Sequence, residues 1–148
     1  MKPQYHVASS ALSAAILYMV FKSWSMALSC FLSGIFIDID HIYDYLREFG
    51  LPFRIKDFIH AVYTAKFNRM TLFFHSWEAL FLLLLTAWIM NWNPVMVGIA
   101  AGFGHHIVLD KLHTGERLLT YFFVWRWKRD FQLKLLFPCC VEKHRKRH

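Results

Sequence analysis

The sequence predicts an all-α, polytopic membrane protein with about four transmembrane helices and additional interfacial amphipathic helices. Three observations carry this expectation. Of the 148 residues, 57% are hydrophobic and 18% aromatic, and the mean hydropathy is +0.32, high for a soluble domain of this size. Residues 73–90 form one predominantly apolar stretch. The chain also carries 17 Lys+Arg against 10 Asp+Glu, and the basic residues gather at the margins of the apolar stretches, as they do beside membrane spans. A nucleic-acid binder would not carry a stretch such as 73–90, so no nucleic-acid partner is expected. The length allows one membrane-embedded domain over residues 1–138, followed by a basic tail over 139–148.

The first helix is expected over residues 6–21 and the second over 24–37, separated by the polar turn Lys22-Ser23. Each has about 15 residues, roughly 22 Å at 1.5 Å per residue, short for a hydrocarbon core of about 30 Å. Lys2 and the apolar stretch 11–21 outline a signal peptide, and Ala27-Leu28-Ser29-Cys30 loosely resembles a lipoprotein cleavage site. Ala27 stands where a larger aliphatic residue is usual, so a retained helix is expected. Residues 38–49 continue as a polar segment closed by Gly50, Leu51 and Pro52. In residues 54–68, Ile55, Phe58, Ile59 and Val62 form one apolar stripe at helical spacing, with Lys56, Asp57, His60 and Thr64 off it, the pattern of a helix lying in the membrane interface.

The third helix is expected over 71–90 and gives the strongest spanning signal. Asn91-Trp92-Asn93 makes a tight turn, and Pro94 suits the first position of the fourth helix, over 94–112. Gly98, Gly102 and His106 are spaced by four, so small residues line one face and let another helix approach. Residues 118–127 are apolar and aromatic but too short to span, and read as an interfacial segment with Arg117, Arg126 and Lys128 beside Trp125 and Trp127 as anchors or, alternatively, as holders of a lipid phosphate. There is no C-x-x-C among the three cysteines, so Cys30, Cys139 and Cys140 indicate neither a zinc knuckle nor a disulfide framework. No phosphate-binding glycine loop or internal repeat is present.

Alternating helix directions give the polar residues their meaning. With four spans, His6, then Asp38, Asp40 and His41, then His75 and Glu78, then His106 and Asp110 all fall at the same end of their helices, on the side of the N-terminus. The opposite end carries Lys22 and the neutral Asn91, Trp92 and Asn93. The His75/Glu78 pair at i, i+3 and the His106/Asp110 pair at i, i+4 each share a helix face. Carboxylates in hydrocarbon are costly unless paired or bound to a cation. Carboxylate plus imidazole is a donor set that zinc, manganese and iron accept. Lys2, Arg47, Arg54, Lys56, Lys66, Arg69, Lys111 and Arg117 lie on the same side, so the N-terminus and the site are expected to face the cytoplasm.

These residues resemble the YdjM-like inner-membrane metal-dependent hydrolases. Asp38-Ile39-Asp40-His41 resembles the family's D-I-D-H motif, His75-Ser76 its T-H-S element, and Gly102, His106 and Asp110 its G-x-x-x-H-x-x-x-D helix; His6 stands where the family often has an early histidine. The likeness covers residues 6–127 in order. Ile37 replaces the usual proline, Met70 the histidine of a His-Arg pair, and Phe74 the threonine, so one family ligand or phosphate contact is absent. Glu78 is expected to compensate. The resemblance implies a bacterial inner-membrane hydrolase and names no substrate.

Eight candidates, His6, Asp38, Asp40, His41, His75, Glu78, His106 and Asp110, exceed the four ligands of a closed zinc site. One or two divalent ions, Zn or Mn, are therefore expected, with Asp40 and Glu78 as catalytic acid/base candidates. A metal-activated water would then attack a phosphoester in a membrane lipid or lipid-linked substrate. His113 and Arg117 are expected to contact the anionic substrate. His105 points away from His106 and reads as packing; His60, His144 and His148 read as solvent-facing. Two other classes fit parts of the pattern: a divalent-cation transporter or channel, and a non-catalytic membrane protein with a structural metal.

Overall fold

The computed structural model of the chain describes residues 3–64 and 66–138. Its regular elements are helical: α1 (Pro3–Phe21), α2 (Trp24–Phe36), a 3-10 turn (Ile37–Ile39), α3 (Asp40–Phe49), α4 (Ile55–Thr64), α5 (Trp77–Ile89), α6 (Pro94–Thr114), a 3-10 turn (Leu118–Tyr121), α7 (Phe123–Trp127) and α8 (Leu133–Leu136). Among the described residues the only β pairing is an isolated antiparallel bridge between Arg69 and Gln132. The tail with Cys139, Cys140, His144 and His148 lies outside them.

Local chemistry sets the helix ends. Ser23 caps α2, its hydroxyl accepting the Met26 N–H at 3.3 Å. Asn93 does the same for α6 through Val95 N–H at 2.9 Å, with Pro94 in the first turn, where its missing N–H costs nothing. Gly115 closes α6 at φ +71°, a left-handed conformation that suits glycine.

The helices meet through small residues. α2 lies against α6, with Gly98 over the Met26 carbonyl and Gly102 over the Cys30 carbonyl and Ser33 hydroxyl. The Ser33 hydroxyl donates to Ile99 O at 3.1 Å and Cys30 O at 3.2 Å. No side chain longer than hydrogen fits at either glycine, so the two backbones approach closely. Cys30 is buried in this seam, as an incidental small apolar group would be. α1 packs on α2, and α5 on α6. The outer faces stay apolar: Val20, Phe81, Trp88 and Ile89 are all exposed, a surface that suits hydrocarbon better than water. Trp24–Phe49, counted through the 3-10 turn, and Pro94–Thr114 are long and apolar enough to cross a membrane; α5 is a shorter apolar helix. Among the described residues two helices meet the requirement, where four were expected.

The third helix departs most from expectation. It starts at Trp77, not near residue 71. Leu72 stands at φ +47°, which a right-handed helix cannot contain, and two buried carboxylates on α3, one turn apart, bind the backbone N–H groups around it. Asp44 accepts from Thr71 N–H at 3.0 and 2.9 Å and from Leu72 N–H at 3.2 Å. Asp40 accepts from Phe74 N–H and from His75 N–H at 3.3 Å. The segment is thus held as a loop, and Ser76 caps α5 through Ala79 N–H at 3.2 Å. A second apolar cluster of Tyr45, Phe67, Leu133 and Leu136 packs the chain's C-terminal part onto α3 and α4.

Candidate metal centre

Four side chains from three parts of the chain converge on one point. Asp38 comes from the 3-10 turn after α2, His75 from the Asp-pinned loop, and His106 and Asp110 from successive turns of α6. One donor atom from each lies within 4.8 Å of all the others. His106 Nε2 is 3.4 Å from both Asp38 Oδ1 and Asp110 Oδ2. His75 Nε2 is 3.6 Å from the same two oxygens. Tetrahedral donors around an ion held at about 2.1 Å sit about 3.4 Å apart, so these four imidazole–carboxylate edges have the length such an ion needs.

The tautomers are set by neighbours. His106 Nδ1 lies 2.7 Å from the Gly34 carbonyl. A carbonyl only accepts, so Nδ1 carries a proton and Nε2 is the nitrogen left to serve as a donor atom for an ion. His75 Nδ1 is 3.3 Å from Asp40 Oδ2, the carboxylate–histidine pairing that orients metal-binding imidazoles. Both Nε2 atoms are buried and make no hydrogen bond within the protein. Buried polar atoms are seldom left so; two such nitrogens aimed at two carboxylates fit a divalent cation. Burial opposes charge on the His75 imidazole, but the Asp38 and Asp40 carboxylates outweigh it and hold its pKa above the usual histidine value. The Asp38 side chain is 32% exposed, against 2% for His75 and 0% for His106, so solvent reaches the cluster at Asp38.

Three more expected residues surround the cage. His6 Nε2 is 3.1 Å from Asp110 Oδ1, and its ring stacks on His106 with centroids 4.1 Å apart, so it touches the cluster from outside. Asp40 touches the cluster through the His75 ring. His41 Nε2 is 3.8 Å from Asp38 Oδ1, with its ring 5.2 Å from that of His75.

Glu78 is elsewhere. Its carboxylate accepts from Phe123 N–H at 2.9 Å and Val124 N–H at 3.2 Å, which caps α7. The expected pairing of His75 and Glu78 on one helix face fails because His75 precedes the helix. As a ligand or acid/base group Glu78 is therefore corrected to a helix cap. His113 is exposed in the last turn of α6, and Arg117 is exposed just before the Leu118–Tyr121 turn; neither belongs to the cluster.

Two residues that support the His75 segment were not among the expected site residues. Asp44 fixes the loop that carries His75, and its spacing of four from Asp40 was the available signal. Arg126, expected as an interface anchor, is fully buried and donates through Nη2 to the His75 carbonyl at 3.1 Å. Burial draws its guanidinium down to about 10 against the pull of Asp40, Glu78 and Asp44. Its partner lies 51 residues away, so nothing local revealed it.

Fold and site thus define an all-helical protein with, among the described residues, two membrane-length apolar helices and a buried Asp/His cluster that could hold a metal ion. Compared with family models, curated proteins and solved structures, the chain matches none.

Proposed function

We propose that the protein is a membrane-embedded, metal-dependent hydrolase of a phosphoester in a lipid or lipid-linked substrate. In this reading α1 and α5 also cross or enter the bilayer, giving four spans. The cage then opens to the cytoplasmic side of a bacterial inner membrane, as the YdjM-like residues and the basic margins suggest. The observation that carries it is the pair of buried, unbonded Nε2 atoms of His75 and His106 facing Asp38 and Asp110.

These four residues would hold the ion. Once bound, the ion would supply Lewis acidity and a lowered pKa for water. The remaining residues have positioning roles. Asp40 holds the His75 tautomer, the Gly34 carbonyl that of His106, and His6 the Asp110 carboxylate. His41, partly exposed and 3.8 Å from Asp38, is our candidate for moving a proton between the site and solvent. Four protein donors complete a tetrahedral zinc site but leave open positions on a six-coordinate ion such as manganese. The donor count therefore also favours a second reading, a structural ion.

The test is phosphate release from a panel of lipid phosphoesters by purified protein loaded with manganese or zinc, beside Asp38→Asn. Turnover that chelation abolishes and added metal restores, absent in the variant, is expected. Stoichiometric metal without turnover on any phosphoester would favour the structural ion.

A further inference from the structure

Beside the loop that carries His75 lies an open groove of about 460 Å³, within the range of small-molecule sites. It is lined among others by Arg47, Thr71, Tyr43, Phe73, Phe123 and Trp127. Aromatic rings dominate it, and Arg47 is its one charged lining group. The Arg47 Nη1 donates to the Thr71 hydroxyl at 2.8 Å, which holds the guanidinium in place. A guanidinium has five N–H donors, so one such bond leaves most of the fork for an anion. The aromatic walls are built as a unit: Phe73 packs edge-on to Tyr43 at 5.4 Å and stacks on Phe123 at 5.6 Å. Even so, Trp127 is 67% exposed and Phe73 44%.

The chemistry selects the occupant. A free inorganic anion would use Arg47 and leave the rings in water. An uncharged hydrocarbon would cover the rings and waste the guanidinium. A molecule with an anionic phosphate at the head of an apolar body satisfies both, and an exposed tryptophan beside Lys128 is the pairing common at lipid headgroup depth. We infer that this groove binds an anionic phospholipid, with its phosphate on Arg47 and its glycerol and upper acyl chains against Phe73 and Trp127. The loop makes the groove and the cage neighbours: Thr71 and Phe73 line the groove, while Asp40 and Asp44 fix the same segment and His75 enters the cage. As the substrate class of the cage, this rests on the hydrolase reading; as a binding site it does not.

The experiment uses the full chain in mild detergent. Native mass spectrometry would count bound dioleoyl phosphatidic acid, dioleoyl phosphatidylcholine as the zwitterionic control, and inorganic phosphate as competitor. The expected result is one phosphatidic acid retained, preferred about tenfold over phosphatidylcholine and not displaced by equimolar phosphate. Arg47→Gln should weaken it about tenfold, and Trp127→Ala should weaken it with Arg47 intact, which guards against misfolding of either variant. Asp38→Asn should bind lipid like wild type, so a failed hydrolase reading would leave this result standing. Equal binding by Arg47→Gln and wild type, equal retention of phosphatidylcholine, or full displacement by phosphate would overturn the inference. Loss of lipid in Asp38→Asn would move the binding to the cage and overturn it too.

Discussion

Replacing Asp40 with asparagine separates a ligand from a residue that orients one. Asp40 is 3% exposed and reaches the cage only through His75, by the 3.3 Å contact between Oδ2 and Nδ1. An asparagine oxygen can still accept the Phe74 N–H, so the loop keeps part of its anchoring. What is lost is the negative charge that favours the Nδ1–H tautomer and raises the basicity of Nε2. Such partners are worth about 10- to 100-fold in metal affinity, or about 1.4 to 2.7 kcal/mol. Removal of a direct donor, as in Asp38→Asn, should cost more and abolish stoichiometric binding. The assay is competition between the detergent-purified protein and a chromophoric chelator for zinc or manganese, with unfolding temperature measured on the metal-free forms as a control for folding. The reasoning fails if Asp40→Asn loses metal as completely as Asp38→Asn, which would make Asp40 a ligand. It fails equally if affinity changes less than twofold.

Glu78→Gln should leave metal content stoichiometric and lower stability by about 1 to 2 kcal/mol, because two backbone N–H groups of α7 lose a charged acceptor; chemical unfolding in detergent reads it. Gly102→Ala would drive a methyl group into the Cys30 carbonyl and Ser33 hydroxyl, parting α2 from α6 and destabilising the fold by about 1 to 3 kcal/mol. Because it also moves Gly34 O from His106 Nδ1, metal affinity should fall with stability, and a variant that keeps both would refute the close seam. Arg126→Met keeps the apolar stem but frees the His75 carbonyl. It should weaken metal several-fold and alter the visible spectrum of the cobalt-substituted protein, whereas an unchanged spectrum would show that the guanidinium does not position His75.

The convergence of the site was legible because it follows from counting: helices that alternate in direction bring His6, Asp38, His75, His106 and Asp110 to one end, and the structure brings those five together. The i, i+4 pair His106/Asp110 and the glycine ladder above it needed only helical geometry. The role of Glu78 was not legible, since it depended on where α5 begins. Hydropathy extends that helix back to residue 71, and periodicity cannot see that Asp40 and Asp44, about 30 residues earlier, pin the backbone of 71–75 against α3. Arg126 was hidden for a related reason. Between two tryptophans it has the local look of an interface anchor, and only a contact distant in sequence, to the His75 carbonyl, draws it inside. Of the four helices expected to span, two among the described residues have membrane length and apolarity; α5 is shorter because apolar composition does not say where a cap will start the helix.

The most direct test of the metal cage is elemental analysis of the purified protein after reconstitution with zinc or manganese, beside folded Asp38→Asn, Asp110→Asn and Glu78→Gln variants. The structure predicts stoichiometric metal in the wild type and in Glu78→Gln, and its loss in both aspartate variants. No metal in the wild type, or metal retained without Asp38 and Asp110, would contradict it and return these carboxylates to helix packing.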